Sequence, residues 1–337
     1  MIPRSVKDEA RGLVDAEFRT GGTGVITLEA IEAAAKRISP YVNPTPLVAM
    51  TPTGVRLKAE SLHPIGAFKI RGAFNAILSL TDEQRARGVI AYSSGNHAQA
   101  VAYAAHVLGV SATIVMPRSA PKLKLASTRR WGAEIVEVGL GSDERRQKGE
   151  ALAAEKGLSL VPPYDSLKII AGTGTIGLEI LQDFPDVATV AIPVSGGGLV
   201  SGVSAALKLS RPDIRIIGVE PELANDAAQS FAAGKIVAIS AEQAVRTISD
   251  GLRSQSVGDN NWPHIQAYVD EIVTVSEDQI KAAMRRIAAE TRLIAEPSGA
   301  TALAGLLLTD APLDRSVAIL SGGNLDPETF AAILIEG

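Results

Sequence analysis

The sequence predicts an α/β fold with mostly parallel, twisted sheets and helices on both faces. Short β-branched runs recur along the chain, and Ala-rich segments with apolar residues at helical spacing separate them. Strand–helix alternation of this kind builds parallel sheets whose crossover helices cover both faces. Several runs also end in turns rich in Gly, Ser and Asn. In such folds ligands bind at the carboxyl ends of strands, so those turns are the places to inspect.

In chain order, the runs read as buried strands are "GVIAYSS" (88–94), "ATIVMP" (112–117), "AEIVEV" (133–138), "TVAIPVS" (189–195), "IRIIGVE" (214–220), "EIVTVS" (271–276) and "SVAILS" (316–321). Helical spacing marks 96–109, 142–156, 199–210, 277–293 and 298–309. "VPPYDS" (161–166) is a Pro-containing joint. With a break near 79–87 it sets off 79–165 as a small domain, leaving 25–78 and 166–337 as a large one. Residues 1–24 read as an N-terminal arm. No repeat or low-complexity segment interrupts the pattern.

The chain has 337 residues, 46% of them hydrophobic and 21% charged, enough for two domains or one large α/β unit. A formal net charge of −4 leaves no basic footprint for nucleic acid. Without cysteine, disulfides, thiolate metal sites and cysteine nucleophiles are excluded. The N-terminus has mixed charges and no apolar segment, so no signal peptide is expected. No apolar run approaches the roughly 18 residues of a membrane span. A cytoplasmic enzyme or binding protein is expected.

"SLHPIGAFKIRGAFN" (61–75) sets Lys69 among Gly, Ala, Ile and Phe. A desolvated lysine loses its proton below its ordinary pKa and becomes a nucleophile. Alone, the stretch fits better an amphipathic helix start with Lys69 and Arg71 snorkelling outward. "SGGGLVSG" (195–202) follows a strand and opens a helix, a geometry that turns backbone N–H groups toward a phosphate. The same loop loosely traces a dinucleotide fingerprint through Gly196, Gly198, Ser201 and Glu220. "SSGNHAQAVAYAA" (93–105) places hydroxyls, a carboxamide and an imidazole at a helix N-terminus, which suits a carboxylate or phenolate oxygen, or an N-cap cluster. "AILSGGN" (318–324) ends a further strand in serine.

With "IAGTGTIGLEI", "GVEPELAND", "ISDGL" and "EPSGA", these motifs, in this order, resemble the fold-type II (tryptophan synthase β-like) pyridoxal-phosphate enzymes. The branch resembled is that of threonine dehydratase and serine racemase, from about residue 25 to about 330. The resemblance implies that Lys69 forms a Schiff base with pyridoxal 5'-phosphate and then acts as base on the substrate α-proton. Phe68 would pack beside the ring, and Asn96 would bond the phenolic oxygen. Gly196, Gly197, Gly198 and Leu199 would hold the phosphate through backbone N–H groups. Ser195 stands where the family usually has a further Gly, which puts one backbone contact in doubt, and its hydroxyl would have to substitute for it. Ser321 would face the pyridine nitrogen; a hydroxyl there makes a weaker electron sink than a carboxylate would. Such a cofactor suits β-elimination over transamination.

By the same resemblance, Ser93, Asn96 and His97 would hold the substrate carboxylate, with Ser94 beside them. Ser94 would serve the cofactor face opposite Lys69. Glu220, the carbonyl of Ala224 and Asp226 match a divalent-cation site whose oxygen ligands suit Mg²⁺ or Ca²⁺. The expected reaction is dehydration and deamination of a small-molecule β-hydroxy amino acid such as L-threonine or L-serine. Serine racemase, 3-hydroxyaspartate dehydratase and, from another class, an NAD(P)-dependent dehydrogenase are the alternatives. A homodimer is expected. The chain ends soon after "LSGGN", so isoleucine feedback is not implied.

Overall fold

The structure is a computed structural model that describes residues 24–93, 95–118, 120, 122–139 and 142–336. The expected N-terminal arm, Gly24 apart, lies outside the described residues. The described strands are β1 (Leu47–Ala49), β2 (Arg56–Ala59), β3 (Val89–Tyr92), β4 (Ala112–Pro117), β5 (Glu134–Val138), β6 (Ser159–Leu160), β7 (Thr189–Pro193), β8 (Arg215–Pro221), β9 (Glu271–Val275) and β10 (Ser316–Leu320). They form a six-stranded sheet in the order β1-β2-β10-β7-β8-β9 and a four-stranded sheet in the order β5-β4-β3-β6. Every pairing is parallel except β1 with β2.

All seven runs expected as strands are strands: 112–117 keeps its bounds, 214–220 shifts to Arg215–Pro221, and the other five are one to three residues shorter. In the larger sheet, alternate residues enter different cores, so both faces are buried. Val190, Ile192, Val317 and Ile319 pack with Val200, Val203 and Ile176, while Ala191, Ala318 and Leu320 pack with Met284, Ile287 and Leu303. That two-sided burial is why β7 and β10 are almost wholly apolar. Strands β1, β2 and β6 escape the pattern. They are two to four residues long, and β2 reads Arg-Leu-Lys-Ala with Lys58 fully buried.

The helix Leu167–Asp183 is the packing centre of the large core, against Lys69–Leu78 on one side and Gly198–Ser210 on the other. Glycine inside a helix costs about 1 kcal/mol relative to alanine, so these positions need a compensating gain. A Cβ on Gly172 would lie 2.7 Å from the Arg71 carbonyl oxygen, and one on Gly202 2.2 Å from that of Ile170. Hydrogen at both positions lets the lysine-bearing helix and the glycine-loop helix lie directly on this helix. Among the described residues no helix is long and apolar enough to cross a membrane.

Candidate active site

Lys69 opens its helix immediately after the lead-in Gly66-Ala67-Phe68, which is stitched to the end of β10. Phe68 N–H donates to the Ser321 carbonyl (3.0 Å), Gly323 N–H donates to the Gly66 carbonyl (2.9 Å), and Ala67 bridges Gly322. Chain ends far apart in sequence thus bring Lys69 and Ser321 together. The Lys69 ammonium donates to the Pro163 carbonyl at 2.7 Å, and burial lowers its pKa to about 8. The Phe68 ring centroid is 5.0 Å from its Nζ, and that ring packs against the cluster holding Val194 and Leu199.

Arg71 does not snorkel. It is 1% exposed and grips two carboxylates: Glu60 through Nε (2.7 Å) and Nη2 (2.9 Å), and Glu179 through Nη1 (2.5 Å) and Nη2 (2.8 Å). Lys58 joins Glu179 at 2.6 Å, and His63 lies 3.1 Å from Glu60. The expectation of an outward guanidinium fails because the matching carboxylates are remote in sequence.

The glycine loop leaves β7 through Ser195, whose φ of 55° is in the left-handed region, and Gly197 (φ 96°) precedes the helix Gly198–Ser210. The Ser195 hydroxyl bonds that of Ser254 at 3.0 Å. Gly197 N–H donates to the Val194 carbonyl at 3.2 Å, whereas Gly198 and Leu199 carry first-turn N–H groups with no intrahelical acceptor. A Cβ on Gly196 would sit 2.6 Å from the Tyr164 ring, and one on Gly198 3.0 Å from Tyr164 Cβ. Asn261 braces the loop by donating to the Gly196 carbonyl at 2.8 Å.

The helix Asn96–Leu108 presents the third motif. Asn96 Nδ2 donates to Glu296 at 2.6 Å, and its Oδ1 accepts from Asn324 at 2.9 Å. His97 Nε2 lies 2.9 Å from the Val161 carbonyl, which only accepts, so the ring carries its proton there. Burial, then the nearby Lys69 charge, pushes its pKa down to about 3, so His97 is neutral. A neutral ring whose N–H is spent on Val161 has no second side-chain donor for a carboxylate. The Ser93 hydroxyl accepts from Gly95 N–H at 3.2 Å. Ser94 lies outside the described residues.

Glu220, near the end of β8, and Asp226, opening the helix Asp226–Ala233, are both fully buried. Glu220 accepts the Ala228 N–H at 2.9 Å, yet its other oxygen and both Asp226 oxygens have no partner. Burial and mutual repulsion raise the Glu220 pKa, and burial raises that of Asp226 to about 7. Among the described residues no group of three or more His, Asp or Glu could hold a metal. A cation here would need carbonyl oxygen as well, as from Ala224 between the two carboxylates in sequence.

Five contributors were not expected from sequence, one of them Asn261, which braces the glycine loop. Pro163 and Tyr164 lie in the stretch read as a domain joint, Glu296 in the helix-opening "EPSGA", and Ser254 in a loop without a motif. The one available signal was the tyrosine among prolines at 162–164, an aromatic where a plain linker has no use for one.

Comparison with known proteins agrees with this geometry. Residues 38–322 match the family described as pyridoxal-phosphate dependent enzyme. The L-threo-3-hydroxyaspartate ammonia-lyase of Saccharomyces cerevisiae is 42% identical over 309 residues, covering 89% of this chain and 94% of that one. Maize serine racemase superposes with a TM-score of 0.86 at 38% identity, covering 92% and 97% of the two chains. The crystal structure of a T.th. threonine deaminase gives a TM-score of 0.83 at 42% identity, covering 89% and 99%. The chain belongs to the pyridoxal-phosphate dependent enzymes of fold-type II.

Proposed function

We propose that the protein is a pyridoxal-phosphate lyase that removes water and then ammonia from a β-hydroxy amino acid such as L-threonine or L-serine, leaving a 2-oxo acid. The observation that carries this is Lys69, an amine made reactive by burial alone and stitched beside Ser321 by the 66–68 lead-in. The residues fit the cofactor. The 196–198 glycines pack so closely on Tyr164 and Asn261 that no Cβ fits, and the turn ends on first-turn helix N–H groups without an intrahelical acceptor. When bound, the cofactor supplies an electron sink for the substrate α-carbon.

Lys69 holds the cofactor and takes the α-proton. Phe68 packs beside the ring and Asn96 bonds the phenolic oxygen. Gly196, Gly198 and Leu199 hold the phosphate, and the Gly197 N–H has to release Val194 to join them. The Ser321 hydroxyl, which donates to the Ser298 carbonyl at 3.3 Å, would turn to the ring nitrogen and hold a proton there less firmly than a carboxylate, which suits elimination over transamination. Ser93, Asn96 and the N-terminal backbone of the His97 helix receive the substrate carboxylate. The orphaned oxygens of Glu220 and Asp226 fit Mg²⁺ or Ca²⁺ completed by the Ala224 carbonyl. The same proposal takes 79–165 as a small domain on the 25–78 and 166–337 unit, in a cytoplasmic homodimer. A 3-hydroxyaspartate substrate is the second reading, favoured by the yeast relative's 42% identity.

The test replaces Lys69 with Ala and follows 2-oxo acid release from threonine, serine and 3-hydroxyaspartate. Wild type releases product from at least one, and Lys69→Ala, folded by circular dichroism, releases none. Full turnover by the variant with added cofactor overturns the proposal.

A further inference from the structure

An asparagine amide has two nearly isosteric ends, so which end meets a ligand is fixed only by neighbours that donate or accept in one sense. At Asn96 such a chain of neighbours exists. The Ile65 carbonyl only accepts, and it takes one N–H of Asn324 at 2.7 Å. That sets Asn324 with its nitrogen inward, and its second N–H goes to Asn96 Oδ1 at 2.9 Å. Asn96 Nδ2 is then on the far side, where Glu296 Oε1 accepts one of its hydrogens at 2.6 Å. One N–H of Asn96 remains.

Glu296 is itself held firmly. It is 1% exposed and caps the helix Pro297–Leu306, and its backbone N–H donates to the Gly322 carbonyl at 3.1 Å. Gly322 follows Ser321 directly, and a Cβ there would meet Glu296 Oε1 at 2.1 Å. So the carboxyl lies against the backbone between the serine proposed for the ring nitrogen and the asparagine proposed for the phenolic oxygen. Its other oxygen is buried without a partner. Burial, then repulsion from Asp250, raises its pKa to about 8, against attraction from Lys124 and the Asn96 bond. A neutral carboxyl there still accepts at Oε1, and it avoids the cost of a buried charge.

We infer that Glu296 is a positioning residue, whose carboxyl takes one Asn96 N–H and thereby reserves the other for the cofactor's phenolic oxygen. The inference rests on the proposed contact between Asn96 and that oxygen. The Lys69 reaction gives no reason for a buried carboxyl at this place. Orientation of the amide does.

The test titrates apo protein with pyridoxal phosphate and records the visible absorption of the loaded protein for wild type, Asn96→Ala, Glu296→Ala and Glu296→Gln. Asn96→Ala and Glu296→Ala should each weaken cofactor binding about tenfold, the scale of one hydrogen bond to a polar ligand, and both should shift the absorption band. Glu296→Gln keeps an acceptor oxygen and should stay within about twofold of wild type. If Asn96→Ala shifts the band and Glu296→Ala does not, the inference fails while the Asn96 reading stands. If neither shifts it, the Asn96 reading falls and takes the inference with it. A Glu296→Gln variant that behaves like Glu296→Ala also overturns the acceptor role. Should Glu296→Ala not fold, Asn324→Ala loosens the same amide from its other end. It should shift the band in the same direction, and an unchanged spectrum overturns the proposal.

Discussion

Raising the pH of the metal-free protein should destabilise it through Glu220 and Asp226, and a divalent cation should reverse the loss. Burial lifts the Asp226 carboxyl from an ordinary value near 4 to about 7. Between those values the folded protein keeps a proton that the unfolded chain has released. Stability therefore falls as pH rises through that window and levels off above it. Three pH units correspond to about 4 kcal/mol, an upper scale because the two carboxyls titrate as a pair. A cation that binds only the folded state at a hundredfold excess over its Kd restores about 2.7 kcal/mol. For 337 residues the unfolding entropy is near 0.7 kcal/mol/K, so the expected gain is about 4 °C in Tm. The assay is thermal unfolding by circular dichroism, in chelator and then in excess Mg²⁺ or Ca²⁺, at about pH 6 and about pH 8. The gain should be full at the higher pH and less than half at the lower, because protons compete for the same oxygens. Asp226→Asn should abolish the cation response and reduce the pH slope to what buried Glu220 alone contributes. Equal gains at the two pH values, or a gain that survives in Asp226→Asn, would refute the reasoning.

Ser195 holds a left-handed φ that costs a non-glycine residue about 1–2 kcal/mol. Ser195→Ala keeps that strain and loses the Ser254 bond, so in urea unfolding Ser195→Gly should be the more stable by about 1 kcal/mol; equal stabilities would remove strain as the explanation. Arg71→Leu strands two carboxylates and should cost about 3–5 kcal/mol. Glu60, held well below the carboxylate range by Arg71 against its burial, contributes stability present above about pH 4.5 and lost in acid. Denaturant curves at neutral and acid pH check both, and a cost below about 1 kcal/mol for Arg71→Leu would contradict the network's role. Only the neutral Lys69 amine attacks an aldehyde, so cofactor uptake should quicken as pH rises toward about 8 and then level. A stopped-flow rate that keeps climbing well beyond about pH 8 would show the amine to be unshifted.

What could be read from the sequence was what needs a particular residue type at a particular place. Strands β3, β4, β7, β8 and β10 announced themselves because burial on both faces demands apolar runs, the edge strands β5 and β9 by their β-branched residues alone, and "SGGGL" because a Cβ there would run into Tyr164 or Asn261. Strand β2 stayed hidden because its central lysine looks solvent-facing until Glu179 and the Thr45 carbonyl meet it. Arg71 misled for the same reason: a charge is read as exposed unless its partners are adjacent, and Glu60 and Glu179 arrive on separate elements. Tyr164 and Glu296 act by packing and by orientation, roles that leave no spacing signature. His97 fitted the motif by type, yet its ring is spent on a backbone carbonyl that no pattern could have indicated.

The buried charges near Lys69 bear on how that amine is tuned. A cation two residues away would ordinarily repel an ammonium and lower its pKa. Here Arg71 and Lys58 face Glu60 and Glu179, two positive charges against two negative ones at neutral pH. A compact group with no net charge has a field that falls off faster than that of a single charge, so little of it reaches Nζ. Burial is accordingly the cause of the Lys69 shift, and Arg71 is not among its causes. The network's contribution is mechanical: it ties the first turn of the Lys69 helix to β2, the short helical turn Glu60–Leu62 and the helix Leu167–Asp183. Replacing Glu179 with Gln would leave one positive charge unmatched. Cofactor uptake in Glu179→Gln should then level at a lower pH than in wild type, the reverse of what simple loosening and hydration of the site would give.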